Sequence, residues 1–245
     1  MYHAVGGGVD PTADLLSATL DLRASIAGLR FGPPVEAVYQ PLDYAWGVHE
    51  AWIRRYGAAR GRVILVGMNP GPYGMVQTGV PFGDPGFVSS FLGLRGDVGR
   101  PPDEHPRRPV LGFASTRGEV SGQRLWGWVA ERFGTADRFF SEFFVVNWCP
   151  LAFMGPGGRN ITPDALPASE RAPLTAACDE ALGRMIRTLA PRRVVGVGQF
   201  AEQCVRRVAG SVPVGRILHP SPASPMANRG WSKTVESELQ GMGVL

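Results

Sequence analysis

The chain has 245 residues, of which 44% are hydrophobic and 19% charged, values that suit one folded domain and argue against a disordered or coiled-coil protein. The formal charge is +4 and Lys233 is the only lysine, so the basic side chains are almost all arginines, which permits a nucleic-acid partner without proving one. No stretch approaches about 18 apolar residues and no secretory signal is visible, so we expect a cytoplasmic protein with no membrane contact.

Two helical patterns precede the first strand. Apolar residues recur at helical spacing over 11–30 and over about 46–56, with polar residues on the opposite face. These patterns predict helices in an outer layer. We therefore expect a single domain, 1–245, in which about 1–58 form an N-terminal helical extension and about 60–235 form the core that carries the motifs.

Four short runs rich in β-branched residues predict buried strands. They lie at 62–67, 143–147, 193–198 and 214–219. Helical patterns separate these runs, at about 121–133, 168–190 and 199–209. Strands that alternate with helices are typical of a parallel sheet covered on both faces. The sequence therefore predicts an α/β fold, a three-layer α/β/α sandwich around a central parallel sheet of about four strands.

One long segment does not fit this alternation. Residues 95–120 are too rich in proline, glycine and charge for regular structure, which predicts an excursion over the surface.

The cysteines and three of the histidines give no sign of a metal site. Cys149, Cys178 and Cys204 are odd in number, include no CxxC pair and lie in apolar or helical surroundings, which predicts reduced, buried thiols. The other group, His3, His49 and His105, stands alone in the sequence, which favours structural or solvent-facing roles. We therefore expect neither a metal nor an organic cofactor.

Three polar segments rich in proline and glycine follow three of the predicted strands. They occupy 67–84, 147–154 and 219–231. In an open parallel sheet, ligands bind beyond the carboxyl ends of the strands, so these segments are expected to converge on one ligand site. A single asparagine after a strand is usually a turn former, so the interpretation depends on all three segments together.

The same segments resemble a known enzyme family. GMNPGPYGMVQTGVPFG (67–83) and HPSPASPMANRGW (219–231) are similar to the two signature motifs of single-strand-selective monofunctional uracil-DNA glycosylases, family 3 of the uracil-DNA glycosylase superfamily. NWCPLAFM (147–154) and GRNITP (158–163) fit the same family, as a bacterial-type member. The resemblance implies a uracil-DNA glycosylase-like fold. It also implies a monofunctional hydrolase of base excision repair that flips out and excises uracil, and oxidised uracils such as 5-hydroxymethyluracil, from DNA.

The resemblance assigns two catalytic residues. His219 would stabilise negative charge on the departing base, and Asn69 would position the water that attacks the sugar. A cap at the end of a strand is the alternative role for His219. Asp84 invites a catalytic role too, but Pro85 and a helical pattern follow it, which predicts a helix N-cap. Lys233 lies after the last motif, so water and not an amine is the expected nucleophile.

The resemblance also assigns the base pocket. Asn147 would read N3–H and O4 of uracil through its amide, and Phe82 would stack on the flipped base, with core packing as its alternative role. The backbone around Met68 would contact the base. Gly71 and Met75 would line the side of the ring that carries a 5-substituent, which implies room for an oxidised methyl group.

DNA is the expected partner, and two segments are expected to contact it. The glycine-rich loop 155–171 carries Arg159 and Asn160, and the stretch after the last strand would grip the strand and fill the gap left by the flipped base. The candidates in that stretch are Ser221, Ser224, Met226 and Arg229. Vertebrate members of the family place an arginine where this chain has Ala223, which leaves strand preference open.

Two other functions remain open at this point. One is a glycosylase of the same superfamily directed at deaminated purines such as xanthine or hypoxanthine. The other is a non-catalytic binder of damaged DNA, or a nucleotide-binding protein, that has kept the fold. A monomer is the simplest assembly, because no second copy is needed to complete the expected site.

Overall fold

The computed structural model describes residues 10–245. The helices of this part are α1 (Thr12–Ile26), α2 (Pro41–Tyr44), α3 (Trp46–Tyr56), α4 (Met75–Thr78), α5 (Pro85–Ser90), α6 (Val120–Phe133), α7 (Ala136–Glu142), α8 (Ala168–Leu189), α9 (Gln199–Val208) and α10 (Trp231–Gly241). The strands are β1 (Ala37–Tyr39), β2 (Val63–Gly67), β3 (Phe143–Asn147), β4 (Ala152–Gly155), β5 (Arg159–Ile161), β6 (Arg193–Val197) and β7 (Val214–Ile217). All four predicted strands are present, at nearly the predicted bounds.

The central sheet is parallel and has the strand order β3-β2-β6-β7. The chain leaves β2 towards β3 through α6 and α7, and later crosses to the opposite side through α8 and α9. Since crossovers between parallel strands are right-handed, these two pairs of helices cover opposite faces of the sheet. The predicted three-layer α/β/α sandwich with a four-stranded parallel sheet is therefore confirmed.

This strand order creates a switch point at the carboxyl end of β2. The next strand along the chain, β3, lies on one side of β2, and β6 lies on the other. The loops that leave neighbouring strands diverge at such a point and leave a crevice between them. The polar segment that begins at Gly67 starts in this crevice.

A second, antiparallel sheet has the order β1-β4-β5 and was not predicted. Its strands have only three or four residues, too few to show an alternating pattern. The prediction that 155–171 form a loop is wrong at Arg159–Ile161, which pair with β4, whereas α8 begins at Ala168, as the helical pattern at 168–190 predicts. Gly157 and Gly158, with φ of 70° and 76°, make the tight turn between the two strands.

The core lies on both faces of the central sheet. All five residues of β2 are buried, as expected for a strand covered on both sides. Aromatic rings fill one face, where Trp52 packs against Trp126, Phe140 and Phe144 with ring centroids 5.0 to 6.0 Å apart. A single buried cluster extends from Leu15 in α1 to Val244 after α10, so α1 is packed onto the body of the fold.

The cysteines and two of the lone histidines are buried in the fold. Cys149, Cys178 and Cys204 are buried free thiols, which confirms the prediction. His49 is buried and its Nδ1 lies 2.7 Å from the carbonyl oxygen of Gly79, while His105 is buried beside a glutamate, so both have structural roles. The prediction for His3 lies outside the described residues.

The segment 95–120 is irregular, as predicted, apart from one 3-10 turn at Gly112–Ala114. Buried hydrogen bonds nevertheless fix it. The side chain of Gln77 is 2% exposed, accepts from the backbone N–H groups of Leu111 and Gly112, and donates to the carbonyl oxygens of Pro72 and Pro109. The excursion is therefore tied to the polar segment that follows β2. None of the helices in residues 10–245 is long and apolar enough to cross a bilayer.

Candidate active site

The three polar segments meet at the switch point and enclose a cavity of about 350 Å³. Its volume is in the range of small-molecule sites, and its mouth is open to solvent. The lining residues are Met68, Asn69, Gly71, Pro72, Gly74, Met75, Phe82, Glu119, Ser121, Asn147, Asn160, Thr162, His219, Ser221 and Pro222. The expected convergence of the segments is confirmed, and the cavity contains all seven residues predicted for catalysis and for the base pocket.

One end of the cavity is built by a close contact between β2, β3 and the aromatic ring of Phe82. Gly67 and Asn147 are paired in register at the ends of the two strands. A Cβ atom on Gly67 would overlap the Oδ1 atom of Asn147 and would lie 2.7 Å from the ring of Phe82. Only glycine at this position lets the amide and the ring approach the same point of the backbone.

The backbone of Phe82 has a left-handed conformation, with φ of 54°, which is rare for a residue with a side chain. Two hydrogen bonds hold it there, because the carbonyl oxygen of Phe82 accepts from the backbone N–H of Asp84 at 2.8 Å and from the indole N–H of Trp126 at 3.0 Å. Strain of this kind persists where surrounding contacts impose it and is concentrated at functional sites. The half-buried ring borders the cavity and packs against core residues at the same time.

The amide of Asn69 is fixed by the segment that follows β3. Its Nδ2 donates to the carbonyl oxygen of Leu151 at 3.1 Å. Since a carbonyl group can only accept, the nitrogen end of the amide is identified, and Oδ1 is left as an acceptor.

The amide of Asn147 is fixed from two sides. Its Oδ1 lies against Gly67, and its Nδ2 lies 3.3 Å from the sulfur of Met75. A thioether sulfur is a weak acceptor. A carbonyl oxygen brought to this amide would therefore make the stronger hydrogen bond, and the same side chain would still offer Oδ1 to a donor.

The imidazole of His219 also lines the cavity, and its ring centroid is 6.3 Å from that of Phe82. Its Nδ1 accepts a hydrogen bond of 3.0 Å from the backbone N–H of Ser221. Burial lowers the pKa of His219 to about 4. The ring is therefore neutral near pH 7, with its proton on Nε2.

Glu119 lines the cavity as well, and the sequence analysis missed it. Its side chain accepts from the backbone N–H of Ser121 at 3.3 Å and so caps α6, while its own N–H donates to Asp84. A Cβ atom on Gly71 would lie 2.5 Å from its Oε2, so the carboxyl group packs directly against that glycine. Burial, with a smaller contribution from Asp84, raises the pKa of Glu119 above its ordinary value. The only sequence signal was an acidic residue just before the helical pattern at 121–133.

Asp84 has the predicted structural role. It is the N-cap of α5, with Oδ1 accepting from the backbone N–H of Phe87 at 3.1 Å and Oδ2 from that of Glu119 at 2.9 Å. Both oxygens are engaged, and the residue is not among those that line the cavity.

The segment 219–231 forms one side of the cavity mouth. Ser221 lines the cavity, whereas Ser224 lies outside it and accepts at Oγ from the backbone N–H of Ala227. Met226 is 61% exposed, the most exposed of the large hydrophobic side chains described, and Arg229 is exposed. Arg124 of α6 holds this segment through hydrogen bonds to the carbonyl oxygens of Pro220 and Ser221 and to the side chain of Asn228.

The β4–β5 hairpin forms another side of the mouth. Asn160 lines the cavity and Arg159 is exposed outside it. Over residues 10–245, no three His, Cys, Asp or Glu side chains are close enough together to hold a metal ion.

Comparisons with known proteins agree with this geometry. A sequence model of the uracil DNA glycosylase superfamily matches residues 54–239. The single-strand selective monofunctional uracil-DNA glycosylase of Rattus norvegicus is 48% identical over 234 residues, which cover 94% of this chain and 84% of that protein. The Mus musculus protein of the same name is 47% identical over the same shares. The crystal structure of wild-type Pedobacter heparinus SMUG2 has a TM-score of 0.70 and 17% identity and covers 96% of this chain and 98% of that one, a likeness in fold.

The resemblance noted from the motifs is thus confirmed over nearly the whole chain. The chain belongs to the uracil DNA glycosylase superfamily and, within it, to the single-strand selective monofunctional uracil-DNA glycosylases.

Proposed function

We propose that this protein is a monofunctional DNA glycosylase that removes uracil from DNA by hydrolysis of the N-glycosidic bond, as a step in base excision repair. The observation that supports this most directly is a single cavity in which the side chains of Asn69, Phe82, Asn147 and His219 all take part. Membership of the family supports the same activity, because the relatives are named for it.

Base selection rests on Asn147 and Phe82. The amide of Asn147 offers an acceptor for N3–H of uracil and a donor for O4, whereas cytosine would present a donor where O4 lies and leave the amide mismatched inside the occupied cavity. Phe82 gives the flipped base a ring to stack on, and the backbone of Met68 completes the contact surface.

Catalysis rests on His219 and Asn69. As the bond to the sugar breaks, negative charge develops on the base. The Nε2–H group of a neutral imidazole can donate a hydrogen bond to O2 of the base, and this stabilisation requires no proton transfer. The Oδ1 atom of Asn69 would accept from the water that attacks the sugar carbon. Lys233, the only lysine of the chain, lies in α10 outside the cavity, which supports water and not an amine as the nucleophile.

The substrate range extends to 5-hydroxymethyluracil. Gly71 and Met75 line the part of the cavity proposed for the 5-substituent, and the carboxyl group of Glu119, which packs against Gly71, is a polar neighbour for the hydroxyl there. Arg159, Asn160, Ser221, Ser224, Met226 and Arg229 are the proposed contacts to DNA.

The assembly proposed is one catalytic domain that acts as a monomer. The core cluster runs from α1 to the residues after α10, which supports one folding unit that includes the N-terminal extension. A DNA substrate places the protein with the DNA of the cell, and the cytoplasmic location expected from the sequence stays a prediction.

A labelled oligonucleotide with one uracil, 5-hydroxymethyluracil or xanthine, followed by alkali to reveal abasic sites, tests the proposal. We expect abasic product from the two pyrimidines in single strands, with no covalent adduct after borohydride treatment. His219→Ala and Asn69→Ala should each reduce excision by roughly 100-fold or more. Product from xanthine alone would favour a glycosylase for deaminated purines. Tight DNA binding without any product would favour a damage-binding protein.

A further inference from the structure

The arginines of the described residues fall into two groups. Ten of them form ion pairs with aspartate or glutamate. The fourteen others have no such partner within residues 10–245, and four of them lie together beside the cavity mouth. These four are Arg107, Arg108, Arg117 and Arg159, here called the basic flank.

Tyr73 joins two members of the basic flank to the cavity wall. It follows Gly71 and Pro72, which line the cavity, and its ring is contacted by the guanidinium groups of Arg117 at 4.2 Å and Arg108 at 5.2 Å. A guanidinium on an aromatic ring keeps its N–H groups free to donate in the plane of the fork.

The β4–β5 hairpin brings in the other members. A Cβ atom on Gly158 would lie 3.2 Å from Cβ of Arg107 and 3.2 Å from Cγ of Arg108, so the excursion packs on the hairpin turn just before Arg159. The excursion that the sequence analysis left without a function thus supplies three of the four cations.

The backbone under the basic flank is fixed, so the cations are presented on a rigid support. The hydroxyl of Tyr39, a fully buried residue of β1, donates to the carbonyl oxygen of Arg108 at 2.6 Å and accepts from the N–H of His105 at 2.8 Å. The amide of Gln77 ties Pro109 to Pro72 of the cavity wall. Pre-organised cations lose little entropy when an anion binds.

We propose that the basic flank binds backbone phosphates of the DNA strand, on the side of the target nucleotide opposite to the 219–231 segment. This inference rests on the proposed function. The hairpin follows β3 and the 219–231 segment follows β7, and β3 and β7 are the two outer strands of the sheet. A DNA strand that crosses the cavity therefore passes from the hairpin to the 219–231 segment. Unpaired arginines with planar donor forks suit phosphodiester oxygens, which offer two acceptors on one anion.

The test compares R107Q/R117Q with R138Q by fluorescence anisotropy on a single-stranded oligonucleotide that carries a stable abasic analogue. Arg138 is exposed and without an ion pair in the described residues, and it lies in α7, which precedes β3 and so sits at the amino edge of the sheet. For two lost phosphate contacts, we expect affinity to fall roughly tenfold and the negative slope of log K against log salt to decrease in magnitude by about 1.4. R138Q should bind as the wild type does. Equal affinity and slope for all three proteins would overturn the proposal.

The position of the basic flank is tested with oligonucleotides shortened on one side of the analogue. Truncation on one side should abolish the difference in affinity between R107Q/R117Q and the wild type, while R229Q still weakens binding. Truncation on the other side should abolish the effect of R229Q, while R107Q/R117Q still weakens binding. Loss of both effects with the same truncation would overturn the assignment of opposite sides.

Excision of uracil by the wild type is measured in the same series to separate this proposal from the proposed function. Absence of excision together with the expected binding changes would contradict the glycosylase and support the basic flank. Normal excision with unchanged binding in R107Q/R117Q would support the glycosylase and overturn the proposal for the basic flank.

Discussion

The backbone N–H of Ser221 donates a hydrogen bond of 3.0 Å to Nδ1 of His219. This single contact decides which nitrogen carries the proton, because an Nδ1 that accepts cannot be protonated. Burial then keeps the second proton off the ring by lowering the pKa of His219 to about 4. A proline on each side of Ser221 makes the turn that brings this N–H to the ring.

His219 is expected to stay neutral down to about pH 5. In nitrogen NMR of the folded protein, its Nε2 should carry the proton and its titration midpoint should lie near pH 4, well below the ordinary value of 6.5. Between these values the unfolded chain binds more protons than the folded one, so the stabilisation is complete above pH 6.5 and is lost as pH falls towards 4. Excision should therefore not change through a His219 titration between about pH 6 and 8. A midpoint near 6.5 would contradict the effect of burial, and a proton on Nδ1 would contradict the tautomer argument.

Gly67→Ala is expected to disable the site without unfolding the protein. The new methyl group would overlap Oδ1 of Asn147 and lie 2.7 Å from the ring of Phe82, so both base-contacting groups must shift. Displacements near 1 Å at a reacting centre cost roughly 100-fold in rate, which is the loss expected in single-turnover excision of uracil.

Gly47→Ala is the matched control for this prediction. A Cβ atom on Gly47 meets nothing within 4 Å, and the residue lies in α3. The change should leave excision as in the wild type and stabilise the helix by about 0.5–1 kcal/mol. If Gly67→Ala retains the wild-type rate, the close contact of Asn147 and Phe82 at Gly67 is not what positions the base.

The sequence predicted the central sheet well because its strands are covered on both faces. Runs such as VILVG and FFVVN are continuous in apolar residues, and such runs have few interpretations in a chain of this length. The positions of Asn69, Asn147 and His219 followed from the same pattern, since each lies within two residues of a strand end.

The contacts between segments far apart in the sequence could not be predicted. Glu119 enters the cavity because the excursion returns past Gly71, and the path of the excursion depends on the buried amide of Gln77. Neither residue stands out by composition or spacing. The second sheet escaped prediction for a different reason, because strands as short as Arg159–Ile161 are defined only by their partners.

Asp84 is expected to act on stability and not on chemistry. Asp84→Ala removes the acceptors of two backbone N–H groups and should lower the free energy of unfolding by about 1–2 kcal/mol in urea denaturation. Asp84→Asn keeps one acceptor and should cost less. The fraction that stays folded should excise uracil within a few-fold of the wild-type rate.

Thr135→Ala, which removes the cap of α7 at the amino edge of the sheet, is the control for cap loss alone. Loss of excision in folded Asp84→Asn protein would assign the carboxylate to the reaction.

Met226 is expected to matter for duplex DNA and much less for single strands. Its side chain is 61% exposed on the segment beside the cavity mouth, where it is free to enter a bound duplex. An apolar side chain inserted into a duplex occupies the space of the flipped nucleotide and offsets the few kcal/mol lost by unstacking, whereas a single strand has little stacking to lose. Met226→Ala should therefore lower kcat/KM on a duplex by roughly tenfold and change it less than about twofold on the same strand alone.

Leu20→Ala, which removes another exposed large side chain, in α1, should leave kcat/KM unchanged on both substrates. Equal losses on both substrates would show that Met226 supports the segment and does not enter the duplex.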